Sequence, residues 1–297
     1  MFDNFKSSVY NALFPLVLAF FFLLQTPNGA QAQTLWKISK NGNHSYLLGS
    51  VHFLKKENYP LPEKIYKAFD ECSDLVLEAD MDSLKLPQTA ARMMQISQLA
   101  NEQLFKDVVS PEIYKKASDY LSGLGVSIQF FPRSKPWFIA MTITALEATK
   151  MGMDATLGLD YHFAEKAQER NMPLIGLESI DFQMNLFNDL PMDLQVAFLE
   201  KTLEDSKDAE EDMTKMLHAW EKGKNNELQQ LLSKGFNGFP QLYDRLLVER
   251  NKTWVPKIED LLSEGKKYFI VVGAGHLTGN DSVVQLLKAR GIKTKKL

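Results

Sequence analysis

Residues 268–276, YFIVVGAGH, decide how this chain folds. Five consecutive apolar residues, Tyr268 to Val272, suit a strand covered on both faces. Gly273 at the carboxyl end of that run lets the backbone turn sharply or pass close to a ligand. His276 then follows three residues on, where the sheet ends. The same order recurs at 47–52, LLGSVH, with an apolar strand, Gly49, two residues and His52. A third apolar run, LVLEAD at 75–80, ends instead in the acids Glu78 and Asp80.

Working outward, Trp36 to Ser39 and His44 to Leu48 flank Asn41-Gly42-Asn43, which reads as a hairpin. Helical spacing is predicted over 63–70 and about 157–170, and through most of 191–264. Helix starts fall at Ser110-Pro111 and Lys135-Pro136. Residues 173–178, PLIGLE, read as another strand, and 292–297 as a last one. The expected fold class is α/β: a central mixed sheet covered by helices, with a largely helical insertion at about 84–155. Residues 33–297 are expected to form a single domain.

In open sheets of this kind, sites form outside the carboxyl ends of the strands. If the three runs lie parallel and near one another, two imidazoles and one or two carboxylates meet there. Such a nitrogen and oxygen set suits Mn, Fe, Co or Zn rather than calcium. A lone histidine after a glycine is more often a turn residue, but two in matching contexts point to a site. Glu178 ends its own strand-like run and either faces the same crevice or caps the turn before Asp181. His44, His162 and His218 read as structural. No Gly-x-Ser-x-Gly elbow, His-Glu-x-x-His helix or phosphate-binding loop is present in the sequence.

With LLGSVHF at 47–53, LVLEAD at 75–80, GLD at 158–160, PLIGLES at 173–179, ERNKTW at 249–254 and VVGAGHLTG at 271–279, the chain resembles the TraB/GumN group, which includes the animal TIKI proteases. The resemblance runs from about Trp36 to Leu297. It implies Gly49, His52, Glu78, Gly273 and His276 as motif positions and Arg250 as a further site residue. It also implies a metal-dependent protease, with Mn or Co ahead of Zn, acting on a peptide or protein substrate. Other relatives are linked only to restraining peptide pheromone activity. Ser50 stands where the group usually has Thr.

On that basis His52, His276 and Glu78 are the expected metal ligands. Bound water would have its pKa lowered from about 15.7 towards 7. Glu78 either ligates the ion or takes the proton, and Arg250 stabilises the oxyanion. Asp80 is a candidate for orienting a histidine. The same residues also fit a protein that binds a peptide or haem iron without turnover, or a hydrolase for a non-peptide ester.

The N-terminus carries its own reading. Residues 12–24, ALFPLVLAFFFLL, follow a weakly positive start and precede Ala30-Gln31-Ala32. This is the order of a removable signal peptide cut after Ala32, so periplasmic or secreted export is expected, with no stable membrane insertion after cleavage. The formal net charge of −3 gives no electrostatic reason to expect nucleic acid. Cys72 is the only cysteine, so an intrachain disulfide is impossible.

Overall fold

Strands β1 (Leu35–Lys40), β2 (Asn43–Ser50), β3 (Asp74–Ala79), β4 (Leu174–Glu178), β5 (Tyr268–Gly273) and β6 (Lys293–Lys296) form one sheet in the order β4-β3-β5-β2-β1-β6. The structure, a computed structural model, describes residues 34–80 and 86–297. The expected signal peptide lies outside the described residues, as do residues 84 and 85 at the start of the expected insertion.

β5 is the hub. It pairs in parallel with β2 (Leu48↔Val271, Ser50↔Gly273) and with β3 (Val76↔Ile270). β4 joins β3 in parallel, and β1 and β6 add antiparallel strands on the far side. The hairpin between β1 and β2 turns at Asn41 and Gly42, both at positive φ (51° and 88°), as the Asn-Gly pair requires. Because four neighbouring strands run the same way, the ends of β2, β3, β4 and β5 open on one edge.

The apolar run of β5 is covered on both faces, as predicted. Tyr268, Ile270 and Val272 pack on one side with Trp254, Ile258, Leu262, Val283 and Leu287. Phe269 and Val271 face the other side, among Phe69, Phe163, Trp220 and Leu228. The first layer comes from helices at Glu249–Ser263 and Val283–Ala289, the second from Glu63–Asp70, Leu159–Glu169, Ala209–Glu221 and Asn225–Gly235. Helix starts follow the sequence signals: the Ser110 side chain accepts the Ile113 N–H ahead of Pro111.

The helical part is larger than the stretch expected to supply it. Helices α1 (Pro87–Ile96), α2 (Pro111–Gly123) and α3 (Pro136–Lys150) fall inside 84–155. Helix α4 (Met192–Asp205) joins them, burying Leu199 and Leu203 among Ile113, Ala117, Leu121, Ile139 and Ile143. Apolar stripes on α2 and α3 need a covering partner, and a later segment provides it.

Candidate functional site

Each of the four parallel strand ends delivers one part of the site. Glu78 is the penultimate residue of β3, Glu178 ends β4, Gly273 ends β5, and His52 stands two residues beyond β2. His276 lies on a short 3-10 turn, Ala274–Leu277, directly after β5. A Cβ placed on Gly273 would lie 3.2 Å from Glu78 Oε1, 3.5 Å from His276 Cδ2 and 3.9 Å from His52 Nε2. The three side chains therefore converge on the space that the missing methyl group of Gly273 leaves.

The two imidazoles are held by the same device. His52 Nδ1 lies 2.9 Å from Asp160 Oδ2, and Ser50 Oγ donates to the other oxygen of that carboxylate at 3.2 Å. An ionised carboxylate only accepts, so Nδ1 carries the proton and Nε2 faces outward. His276 Nδ1 lies 2.6 Å from Asn251 Oδ1, and Asn251 Nδ2 donates to the Asp281 carbonyl at 2.8 Å, which fixes the amide's orientation. Here too the proton sits on Nδ1. Gly158, at the start of the Asp160 helix, permits this: a Cβ there would lie 2.3 Å from the His52 carbonyl oxygen.

The environments of the two rings differ. His52 has a 62% exposed side chain and His276 a 4% exposed one. Asp160 outweighs partial desolvation and raises the His52 pKa to about 9. Burial lowers that of His276 to about 3, with Arg250 and His52 adding to the effect against the pull of Glu78. His276 is thus a neutral imidazole.

Behind the histidines lies a buried charge cluster. Arg250 donates through Nη2 to Glu78 Oε2 and to Glu178 Oε1, both at 2.5 Å, and through Nε to Glu178 at 3.0 Å. Its Nη1 stands 3.1 Å from His276 Nε2. Trp254 supports the cluster twice, with its ring 4.6 Å from the guanidinium carbon and its Nε1–H donated to Glu178 Oε2 at 2.9 Å. Gln183 bridges the carboxylates, 3.1 Å from Glu78 and 3.0 Å from Glu178. Burial opposes ionisation of Glu78, yet Arg250, His52 and the Gly273 N–H bring its pKa down to about 2.

Sequence spacing explains why one helix reaches so many of these groups. Arg250 and Trp254 are four apart and Asn251 lies beside them, all buried on the helix Glu249–Ser263. A π-helical turn, Asp244–Val248, leads directly into it, a distortion often found at functional sites.

Among the described residues, no group of three His, Cys, Asp or Glu side chains stands ready-made for a metal ion. Two imidazoles and a carboxylate nonetheless make a nitrogen and oxygen set of the kind that divalent transition metals accept. Each imidazole has a proton on Nδ1 tied to an acceptor, which orients the ring. His276 keeps its Nε2 lone pair, whereas His52, with its pKa raised to about 9, also carries a proton on Nε2 that an ion would have to displace. His276 Nε2 and Glu78 Oε1 are 3.7 Å apart. An ion there would have to displace the hydrogen of Arg250 Nη1, which stands 3.1 Å from His276 Nε2.

Of the residues singled out in the sequence, His52, Glu78, Glu178, Arg250, Gly273 and His276 come together. Gly49 lies just behind them, its N–H donated to the Thr34 carbonyl at 2.7 Å and its own carbonyl accepting the Trp220 Nε1–H at 2.9 Å. Glu178 faces the crevice rather than capping its turn, which Ser179 does. The sequence offered Asp80 for orienting a histidine; the groups on the two Nδ1 atoms are Asp160 and Asn251. Both lie in stretches that carry the resemblance, GLD and ERNKTW, and that was the signal for them. His162 packs on Tyr59 and Phe163, as a structural histidine does.

A mixed α/β sheet whose four parallel strands end in histidines and acids on one edge defines a crevice-site protein of the open-sheet class. Within that class, the chain belongs to the TraB/PrgY/gumN family, whose model matches residues 34–296. It is 29% identical to the uncharacterized protein YbaP of Shigella flexneri over 254 residues, covering 84% of this chain and 90% of that one. The YbaP protein of Escherichia coli K12 is 28% identical over the same shares. More distantly, the chain is 20% identical to Metalloprotease TIKI1 of Danio rerio, over 91% of this chain and 64% of the relative. No solved structure matches.

Proposed function

We propose that this protein is an exported metal-dependent hydrolase acting on peptide bonds. The observation that carries the reading is the convergence of His52 Nε2, Glu78 Oε1 and the edge of the His276 ring beside Gly273, with His276 Nε2 3.7 Å from Glu78 Oε1. Similarity to proteins called metalloproteases supports it. The residues that would hold the ion are His52, His276 and Glu78, and two nitrogens with a carboxylate suit Mn, Co or Zn. When bound, such an ion lowers the pKa of water from about 15.7 towards 7.

The chain's own groups do the rest. Asp160 and Asn251 hold a proton on Nδ1 of each ring and so orient Nε2 as the ligating atom, which on His52 would have to lose its own proton when the ion binds. Glu78 acts as an anionic ligand rather than a general base: Arg250, Gln183 and the Gly273 N–H occupy it, and a carboxyl with a pKa near 2 is a poor proton acceptor at neutral pH. Arg250, anchored by Glu178, offers positive charge to the oxyanion that forms when water attacks a carbonyl, a contribution of ~3 kcal/mol. The exposed face of His52 gives substrate an approach. Export rests on the order of residues 1–32, and among the described residues no helix is long and apolar enough to cross a membrane.

Metal analysis of the purified protein, followed by peptide digestion with and without a chelator, tests the reading. Bound Mn, Co or Zn with cleavage that a chelator stops is the expected result. A protein that takes up none of these ions and cleaves nothing would remove it.

A further inference from the structure

We infer that Arg250 is the site's resident counter-cation and, while staying paired with Glu78, competes with a divalent ion for the His276 Nε2 lone pair, an inference that rests on the metal-site reading above. The geometry is specific. Arg250 Nη1 stands 3.1 Å from His276 Nε2 and, being only a donor, directs its hydrogen at the lone pair a metal would use. Nη2 of the same guanidinium takes Glu78 Oε2 at 2.5 Å. One planar fork thus engages two of the three groups expected to ligate the ion.

Charge arithmetic makes this useful to the protein. Glu78 and Glu178 are buried carboxylates, with side chains 10% and 7% exposed. Both share Arg250 Nη2, so the guanidinium offsets one of their two charges whether or not an ion is bound. Glu178 also holds Nε, and Trp254 lies under the guanidinium. Arg250 can therefore release His276 Nε2 without losing its place. The ion binds against a standing competitor, so its affinity is lower than the donor set alone would give, and occupancy follows the metal supply. The released Nη1–H is then available to a substrate oxygen, which links ion loading to readiness for catalysis.

The test is calorimetric titration of the purified full chain with Co(II), comparing wild type with Arg250→Lys and Arg250→Met, each checked for folding by circular dichroism. Lysine keeps the charge but lacks the fork, so it cannot cover both Glu78 and His276. Competition for the lone pair predicts that Arg250→Lys binds Co(II) severalfold more tightly than wild type. Arg250→Met should gain about tenfold or more, since it also removes a like charge near the ion. Unchanged or weaker binding by folded Arg250→Lys overturns the inference while leaving the metal site standing. If neither wild type nor Arg250→Lys takes up Co(II), the inference falls together with the metal-site reading. Should Arg250→Met not fold, the lysine variant decides alone.

Discussion

Gly273 donates its backbone N–H to Glu78 Oε1 at 2.7 Å, so the end of β5 aims the carboxylate that ends β3. It does so while leaving open the space that a side chain would occupy. Gly273 sits at φ −49° and ψ 134°, a conformation any L residue adopts. Gly273→Ala should therefore fold, with stability changed by less than about 1 kcal/mol. Its methyl group would lie 3.2 Å from Glu78 Oε1. Titration with Mn(II) or Co(II) should show affinity reduced at least about tenfold. Wild-type affinity in a folded Gly273→Ala protein would show that the ion does not sit there.

Asp160 should matter through His52 alone. It accepts from the ring and from Ser50 and lies outside the ligand set. Replacing it with Asn lets the amide present either a donor or an acceptor to Nδ1 and frees the ring to turn. Loss of an orienting partner of this kind typically costs 10–100-fold in metal affinity. We expect that loss for Asp160→Asn, read by the same titration, with an unfolding midpoint close to wild type. A large loss of stability with unchanged affinity would make Asp160 a packing residue instead.

How much of this was legible in the sequence depends on how local each cause is. The strand ends were readable because an apolar run followed by Gly-x-x-His is a contiguous signal, and β5 carries it from Tyr268 to His276. The partners of the histidines had only the family stretches GLD and ERNKTW to mark them, with no local signal of what they hold. Asp160 lies 108 residues from His52, and a short helical Asp gives no hint of which ring it will meet. Arg250 was legible only through the family resemblance. Its burial comes from Trp254 one turn away and from Glu178 on another strand. The covering role of α4 stayed hidden for a related reason: an amphipathic stripe announces that a helix will be buried but not against what.

The sheet's stability should depend most on the aromatic contacts around Phe269. This side chain is fully buried, with ring centroids 4.9 Å from Phe163 and 5.4 Å from Phe69. Truncating a buried aromatic residue costs about 3–5 kcal/mol through lost transfer energy and the cavity left behind. Urea unfolding of Phe269→Ala should show a loss of that size. Phe130, 76% exposed on the helical part, provides the contrast, and Phe130→Ala should stay within about 0.5 kcal/mol of wild type. Equal effects at the two positions would contradict the layered core.

His162 gives the fold a pH dependence that can be measured apart from the site. Its ring packs 4.8 Å from Tyr59 and 5.1 Å from Phe163, and its Nε2 is buried without a hydrogen-bond partner among the described residues. Burial, with Lys166 adding to it, lowers its pKa to about 4 in the folded chain. An unfolded histidine titrates near 6.5, so between about pH 6.5 and 4 the unfolded chain binds more protons. Stability must then fall as pH falls through that window and be unaffected above it. At pH 5 the full shift corresponds to about 2 kcal/mol, and partial access of water to the ring reduces this to about 1–2 kcal/mol. Urea unfolding at pH 7.5 and pH 5 should show wild type losing that much more than His162→Phe, which keeps the ring packing and removes the titrating group. If both proteins lose stability in parallel, the ring takes up its proton in the folded state as easily as in the unfolded chain, and the loss arises elsewhere.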